Sequence, residues 1–257
     1  MTFREKFSGQ LKDLLEKNND ILAAWEGGSA ATGYLDEYSD LDLGLICTDN
    51  YIETCFELIE IFLEGNYGIK HRFRVPEPSW HGHSQCYYFL DKTPPLFFFD
   101  LLIEKESAGN RFLESDRHGK AVIWFDPHNL IDTSPTPPEE TKARIKAVLT
   151  KFKDSFPVLI TDLRKLIKRG KIVDSFYVYH QLINRMGMLF NIKYRPAKYD
   201  FGLRYTSRDY PEKEVKILEN FMIVRDLTEM SDKVDKIENR CAELWAEIED
   251  LYLKEEQ

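Results

Sequence analysis

Hydrophobic and polar positions follow two different periods along the chain, and the change falls near residue 132. Before it, short apolar runs typical of strands alternate with segments whose apolar residues recur at the three- and four-residue spacing of helices. After it, the helical spacing continues almost throughout. The pattern therefore predicts an α+β protein, with a mixed-sheet domain followed by an α-helical bundle.

In the first half, the pattern predicts six strands and two helices. The predicted strands are residues 21–26, 41–48, 69–75, 85–90, 96–103 and 121–125, and the predicted helices are 3–18 and 52–63. A loop of about five residues with two prolines, 91–95, separates two of these strands and predicts a hairpin.

In the second half, the pattern predicts helices over residues 139–156, 158–168, 174–192 and 212–228, and one more at the end of the chain. The apolar stripe of that last helix consists of Val234, Ile237, Cys241, Leu244, Ile248 and Leu251. Three prolines in residues 132–140 disfavour a helix or strand interior and predict a linker. The expected domains are therefore residues 1–131 and 141–257.

The net charge indicates which classes of partner to expect, and the cysteine content indicates the cellular compartment. The net charge of −9 disfavours a long nucleic acid, whose binding depends on neutralising phosphates, and favours small or cationic partners. Four dispersed cysteines without CxxC spacing are typical of reduced thiols in a cytoplasmic protein. The first residues lack the apolar core of a signal peptide, and no apolar run is long enough to span a membrane.

Two carboxylates stand at the start of an otherwise apolar predicted strand. Side chains alternate between the faces of a strand, so Asp40 and Asp42 share one face while the neighbouring leucines point to the core. Adjacent carboxylates repel each other unless a cation lies between them, and carboxylate oxygens are ligands that Mg²⁺ prefers. A pair of solvated acids is the alternative for these two residues taken alone.

Gly28 and Ser29 precede this pair where a strand is expected to end and a helix to begin. Glycine lets the backbone approach a ligand closely, and the free N–H groups of a helix start favour phosphate. A tight turn with a helix cap is the alternative. A P-loop is excluded, because Tyr34 and Leu35 stand where its Lys and Ser or Thr are required.

Asp100 interrupts a strongly apolar predicted strand, where an uncompensated charge is costly. A metal ion would compensate it, and so would an arginine or exposure at a strand edge. His81, His83 and Cys86 do not predict a structural zinc site, which needs four ligands. We interpret them as part of a loop with incidental histidines; a position beside a substrate pocket is the alternative.

The Gly28-Ser29 pair, ten further residues, the Asp40-x-Asp42 pair and the later Asp100 together resemble the DNA polymerase beta-like nucleotidyltransferase superfamily. Within it, the chain length and the helical second half resemble the bacterial aminoglycoside and lincosamide nucleotidyltransferases. The motif match covers residues 25–103, and residues 118–126 resemble the end of the same domain. The helical half is matched only loosely, by its helices and by residues 191–198.

The resemblance implies a catalytic domain over residues 1–131 and a substrate-binding helical domain over 141–257. It implies that Asp40 and Asp42 coordinate two Mg²⁺ ions that bind a nucleoside triphosphate, while Asp100 holds the metal nearest the attacking hydroxyl. Gly28 and Ser29 would bind the β- and γ-phosphates. The general base stays open between metal-bound Asp100, Glu104 and a glutamate of the helical half.

Lys198 follows a predicted helix in a loop, where it is a candidate for binding the triphosphate from the second domain; a solvated lysine is the alternative. The expected activity is transfer of a nucleoside monophosphate, most simply AMP from ATP, to a hydroxyl of a small molecule such as an aminoglycoside-like antibiotic. Modification of a protein or an RNA end, and a non-catalytic nucleotide-binding module, are the alternatives. The acceptor is expected in a cleft between the two domains.

Overall fold

A computed structural model describes residues 2–109 and 111–253. The chain divides into two compact units, Met1–Pro135 and Thr136–Gln257. Met1, Asn110 and residues 254–257, which the predicted domains include, lie outside the described residues. A mixed sheet in the first unit and helices in the second confirm the predicted α+β fold class.

The first unit contains six strands and four helices among its described residues. The strands are β1 (Ile21–Glu26), β2 (Leu41–Cys47), β3 (Ile69–Arg74), β4 (Ser84–Leu90), β5 (Phe99–Lys105) and β6 (Val122–Phe125). The helices are α1 (Phe3–Leu15), α2 (Gly28–Thr32), α3 (Ile52–Asn66) and α4 (Ser115–His118). The predicted hairpin is present as the antiparallel pair β4–β5, but β5 begins only at Phe99 and the connection is longer than predicted.

The six strands form one sheet in the order β3-β4-β5-β2-β1-β6. Strands β2 and β5 are parallel, whereas the other pairs are antiparallel, so the sheet is mixed. Antiparallel neighbours flank a central parallel pair, and corresponding ends of β2 and β5 therefore lie side by side. This arrangement determines where the polar side chains of the two central strands meet.

Helices α1 and α3 cover one face of the sheet. Leu41, Leu43 and Leu45 alternate along β2 toward this face, where they pack with Phe7 of α1 and Ile59 of α3 in the main core of the unit. The intervening side chains of β2 must then lie on the opposite face. On that face Trp25, Ile46 and Leu113 belong to a smaller apolar cluster.

The second unit is helical throughout its regular elements. They are α5 (Pro138–Lys168), α6 (Ile172–Tyr194), a 3-10 turn (Pro196–Lys198), α7 (Thr206–Asp209), α8 (Glu212–Met222) and α9 (Leu227–Tyr252). The α9 stripe is buried as predicted from Val234 to Ile248, whereas Leu251 is exposed. Among the described residues, none of these helices is both long and apolar enough to cross a membrane.

Helix α5 differs from the sequence-based prediction of a linker followed by two helices. It begins at Pro138, because proline is tolerated in the first turn, where its missing N–H is not needed. It then continues through Pro157, where two separate helices are predicted. Tertiary packing of residues on both sides of Pro157, such as Phe152 and Ile160, overrides the local penalty of an internal proline.

Candidate active site

The parallel pairing of β2 and β5 brings two of the predicted carboxylates together. Asp42 and Asp100 are direct partners in the register of the two strands, on the face opposite α1 and α3. Asp40 lies just before β2, where its Oδ1 accepts a hydrogen bond from the backbone N–H of Phe98 at 3.0 Å. The three carboxylates therefore stand at corresponding ends of two adjacent central strands.

The glycine turn lies against the same carboxylates. The N–H of Gly27 donates to the carbonyl oxygen of Asp42 at 2.9 Å, and Gly28 has a left-handed φ of 52°. A Cβ at Gly28 would overlap the Oδ2 atom of Asp42, so only glycine fits this contact. The hydroxyl of Ser29 is buried, with no hydrogen-bond partner among the residues the structure describes.

Burial raises the pKa of all three carboxyls. The pKa of Asp100 rises to about 7 because of desolvation, with smaller increases from Asp42 and Asp40 and a decrease from the Gln85 hydrogen bond. Desolvation also raises the pKa of Asp42, and the charge of Asp40 adds to it. Desolvation raises the pKa of Asp40 too, against the Phe98 hydrogen bond. Ionisation of all three carboxyl groups is therefore unfavourable unless a cation lies close to them.

A cationic side chain from α1 approaches this region from the covered face of the sheet. Arg4 donates through Nη2 to Glu26 Oε2 at 2.8 Å and through Nε to the carbonyl of Asp40 at 3.4 Å. Glu26 also accepts the indole N–H of Trp124 at 2.9 Å. The Arg4 charge lowers the pKa of Asp42, but it acts against the larger effect of burial.

Gln85 of β4 also contacts the site, although the sequence-based analysis did not identify it. Its side-chain amide donates to Asp100 Oδ1 at 2.8 Å and to the Tyr87 hydroxyl at 2.9 Å. The Nε2 atom of His81, a residue interpreted above as incidental, lies 3.2 Å from the side-chain oxygen Oε1 of Gln85. Tyr87 pairs with Asp100, and Gln85 shares the face of Tyr87, so the contact depends on the pairing of β4 with β5, which strand alternation alone does not specify.

Glu104 forms a separate buried ion pair. It lies on β5 beside Ile46, fully buried, with Oε2 at 3.2 Å from Arg111 Nε and Oε1 at 3.8 Å from His83 Nε2. Desolvation raises its pKa to about 8, against the lowering effect of Arg111. Glu104 lies four residues along β5 from Asp100.

Lys198 lies in the second unit, at the end of the 3-10 turn. Its ammonium group is 3.4 Å from Asp209 Oδ2, which also receives Arg195 Nη1 at 2.9 Å. Lys198 therefore has a carboxylate partner within its own unit, and its binding of a triphosphate stays a prediction.

The donor chemistry of the three aspartates suits a divalent cation, although the residues are not a closed ligand set. Among the described residues, no three His, Cys, Asp or Glu side chains are grouped as metal ligands. Asp40 and Asp100 each engage one carboxylate oxygen in a hydrogen bond, and each retains a second oxygen for a cation. At Gly28 the backbone comes close to the Asp42 carboxylate, and the buried Ser29 hydroxyl is a polar group without a hydrogen-bond partner among the described residues.

Comparison with known proteins gives matches at the level of structure alone. No family model matches the chain, and no curated protein matches it in sequence. An aminoglycoside 6-adenyltransferase from Bacillus subtilis matches with a TM-score of 0.39 and 14% identity, over 100% of this chain and 94% of its own. Spectinomycin adenyltransferase AAD(9) from Enterococcus faecialis, solved with ATP and spectinomycin, matches with a TM-score of 0.36 and 11% identity, over 93% and 99%.

Both of these structures are of adenyltransferases, and their similarity to this chain is low in identity and in TM-score. Similarity at this level does not determine an activity.

Proposed function

We propose that this protein is a metal-dependent nucleotidyltransferase that moves a nucleoside monophosphate from a nucleoside triphosphate to a hydroxyl group of a small molecule. ATP is the proposed donor, and Mg²⁺ the proposed metal. The observation that carries the proposal is the juxtaposition of Asp42 with Asp100 across the parallel β2–β5 pair, with Gly28 in contact with Asp42.

Each carboxylate has a distinct proposed role. Asp40 and Asp42 would hold the cations that bind the triphosphate, and Asp100 would hold the cation nearest the acceptor hydroxyl. When bound, Mg²⁺ would neutralise charge on the leaving pyrophosphate, and it would lower the pKa of the acceptor hydroxyl. The raised pKa values support this assignment, because desolvated carboxylates gain most from a cation that compensates their charge.

The glycine turn is the proposed position of the β- and γ-phosphates. Gly28 permits close approach of the backbone beside Asp42, and the buried Ser29 hydroxyl has its proton available for a phosphate oxygen. Positioning and charge neutralisation account for most of the catalysis in phosphoryl transfer, and we expect the same of nucleotidyl transfer. Lys198 is kept as a proposed additional contact to the triphosphate.

Asp100 is the proposed group nearest the acceptor hydroxyl, and Glu104 is assigned no proton transfer. Glu104 is fully buried beside Arg111, and it lies four residues further along β5. At about 3.3 Å per residue, that separation of about 13 Å is too long for the two side chains to share one proton. The proposed acceptor is a small molecule with a ring hydroxyl, of which an aminoglycoside-like antibiotic is the first to test.

The acceptor assay tests this function. The purified protein is incubated with Mg²⁺ and α-³²P-labelled ATP in the presence of aminoglycosides, lincosamides, tRNA or a cell lysate, and pyrophosphate release is followed in parallel. The proposal predicts a labelled small molecule and an equal amount of pyrophosphate. Label in protein or RNA would overturn the small-molecule acceptor, whereas no label and no pyrophosphate with any acceptor would overturn the activity.

A further inference from the structure

Gln85 links the proposed active-site carboxylate to a histidine in the loop before β4. A side-chain amide has two N–H donors on nitrogen and an acceptor on oxygen. In this structure Nε2 donates to Asp100 Oδ1 at 2.8 Å and to the Tyr87 hydroxyl at 2.9 Å. The oxygen Oε1 lies 3.2 Å from His81 Nε2. The contact with ionised Asp100 therefore fixes the orientation of the amide, whereas the Tyr87 hydroxyl can donate or accept and fits either orientation.

The protonation of His81 follows from its second ring nitrogen. The backbone N–H of His83, which can only donate, lies 3.2 Å from His81 Nδ1. The Ser79 hydroxyl lies 3.3 Å from the same nitrogen and fits either tautomer, because it can donate or accept. The His83 N–H fits only an unprotonated Nδ1, which places the proton of the neutral ring on Nε2. From Nε2 it can be donated only to an acceptor, which is the Gln85 oxygen.

The opposite orientation of Gln85 is disfavoured at both ends. It would place the amide oxygen against a carboxylate oxygen of Asp100, which only accepts once the carboxyl is ionised, and the amide N–H₂ group against the Nε2–H of His81. Two acceptors would then face each other, and so would two donors. The loop that carries His81 is itself held by a hydrogen bond from the Ser79 hydroxyl to the His83 carbonyl at 2.6 Å.

We infer that Gln85 is a positioning residue for Asp100, and that the Nε2–H tautomer of His81 fixes the orientation of the Gln85 amide. The inference rests on the proposed function of Asp100. Fixing Oδ1 on the amide limits rotation of the carboxylate and assigns Oδ2 to the reacting centre. Neither Gln85 nor His81 touches substrate in this account, because both act through Asp100.

The role predicts a specific kinetic pattern. Asp100 is assigned to the acceptor side of the reaction, whereas the triphosphate is assigned to Gly28, Ser29 and the other two aspartates. Gln85→Met, which keeps the length of the side chain and removes its polar atoms, should lower kcat about tenfold to a hundredfold. The KM for ATP should stay within about twofold.

His81→Phe should also lower kcat, but by a smaller factor than Gln85→Met. The Gln85 amide keeps its donors in this variant and loses only the group that orients it. In the double variant the two effects should not multiply, since His81 acts through Gln85. His71→Phe is the matched control. It makes the same substitution at a histidine of β3 that packs beside Phe89, and kcat should not change.

The tautomer is tested without substrate or metal. Long-range ¹H–¹⁵N correlations of the histidine rings in the full-length protein should give the Nε2–H pattern for His81, and His81→Phe should shift the Gln85 side-chain amide resonances while His71→Phe leaves them in place. The wild-type ring spectrum needs no variant, so the prediction stands even if one variant fails to fold.

The outcomes separate this inference from the function on which it rests. An active enzyme in which His81 carries its proton on Nδ1, or in which the two substitutions multiply fully, overturns the positioning role alone. The predicted ring spectrum in a protein that transfers no nucleotide to any acceptor overturns the proposed function, and the positioning role with it. The predicted spectrum, the kcat-specific loss and the non-multiplying double variant together support both.

Discussion

At the scale of single residues, the start of β2 combines a close contact between the backbone and a carboxylate with carboxyl groups whose pKa is raised. Gly28 and Gly33 stand at the two ends of α2, both with left-handed φ, of 52° and 74°. A Cβ at Gly28 would overlap the Asp42 carboxylate, whereas a Cβ at Gly33 would meet nothing within 4 Å. Substitutions at the two glycines can therefore distinguish the free-energy cost of backbone strain, which both share, from the effect of displacing the Asp42 carboxylate, which only Gly28 has.

Gly28→Ala should impair the site, whereas Gly33→Ala should not. Each substitution should cost about 1 kcal/mol of unfolding free energy, because a Cβ disfavours left-handed backbone. Only Gly28→Ala also displaces Asp42, so it should weaken binding of ATP with Mg²⁺ by tenfold or more. Denaturant unfolding and titration calorimetry measure the two effects, and equal ATP affinity in both variants would contradict the proposed role of Gly28.

Asp100→Asn should stabilise the metal-free protein more at pH 8 than at pH 4. Between pH 3.8 and about 7 the folded chain keeps a proton on Asp100 that the unfolded chain has released, so stability falls as pH rises through this interval. Asparagine removes that dependence. The gain at pH 8 should be roughly 1–2 kcal/mol after allowance for solvent screening.

Urea unfolding in the presence of EDTA at the two pH values measures this difference. An equal effect of the substitution at both would mean that Asp100 has an ordinary pKa in the folded protein. Asp42→Asn at the same two pH values serves as a comparison, because its pKa is also raised by burial.

The sequence identifies the three aspartates as candidates because their signal is local, and their role in a site stays a prediction. An acid within an apolar strand is identifiable from the pattern alone, and alternation placed Asp40 and Asp42 on one face. The link from Asp100 through Gln85 to His81 was missed, since it depends on strand pairing and on a loop conformation. The pairing of Asp42 with Asp100 likewise required the order of strands in the sheet.

At the scale of elements, local signals located most helices and strands and failed where packing competes with them. The predicted bounds of β1 match the observed ones, because an apolar run ends at Glu26 and two glycines follow. Helix α5 was predicted as two helices, because a proline is normally a stop signal. Its interior proline is exposed while neighbouring apolar residues are buried, which allows the helix to continue.

Pro157→Ala should stabilise the second unit, and Pro138→Ala should have little effect. Alanine at 157 restores a backbone N–H for the carbonyl of Lys153 and relieves the ring clash, which is worth about 1–3 kcal/mol in a helix interior. Proline at the first helical position costs nothing comparable. Thermal unfolding of the two variants measures the contrast, and a loss of stability in Pro157→Ala would mean that packing requires the proline.

At the scale of the whole molecule, the change from mixed to helical periodicity predicted the fold class, and the observed units divide between Pro135 and Thr136. The sheet unit by itself brings together the glycine turn and the three aspartates, so every residue of the proposed nucleotide and metal site except Lys198 belongs to that unit. The acceptor depends on surfaces that no local motif specifies, so the sequence patterns predict a class of reaction and leave its substrate open.

The most direct test of the account is titration calorimetry of ATP with Mg²⁺ into the wild-type protein and into Asp42→Asn, with Asp13→Asn on the exposed side of α1 as the control. We expect the wild type and the control to bind with the same affinity, and Asp42→Asn to bind at least tenfold more weakly, since it loses a charged ligand between the glycine turn and Asp100. Unchanged affinity in Asp42→Asn would contradict the assignment of these carboxylates to a metal and nucleotide site.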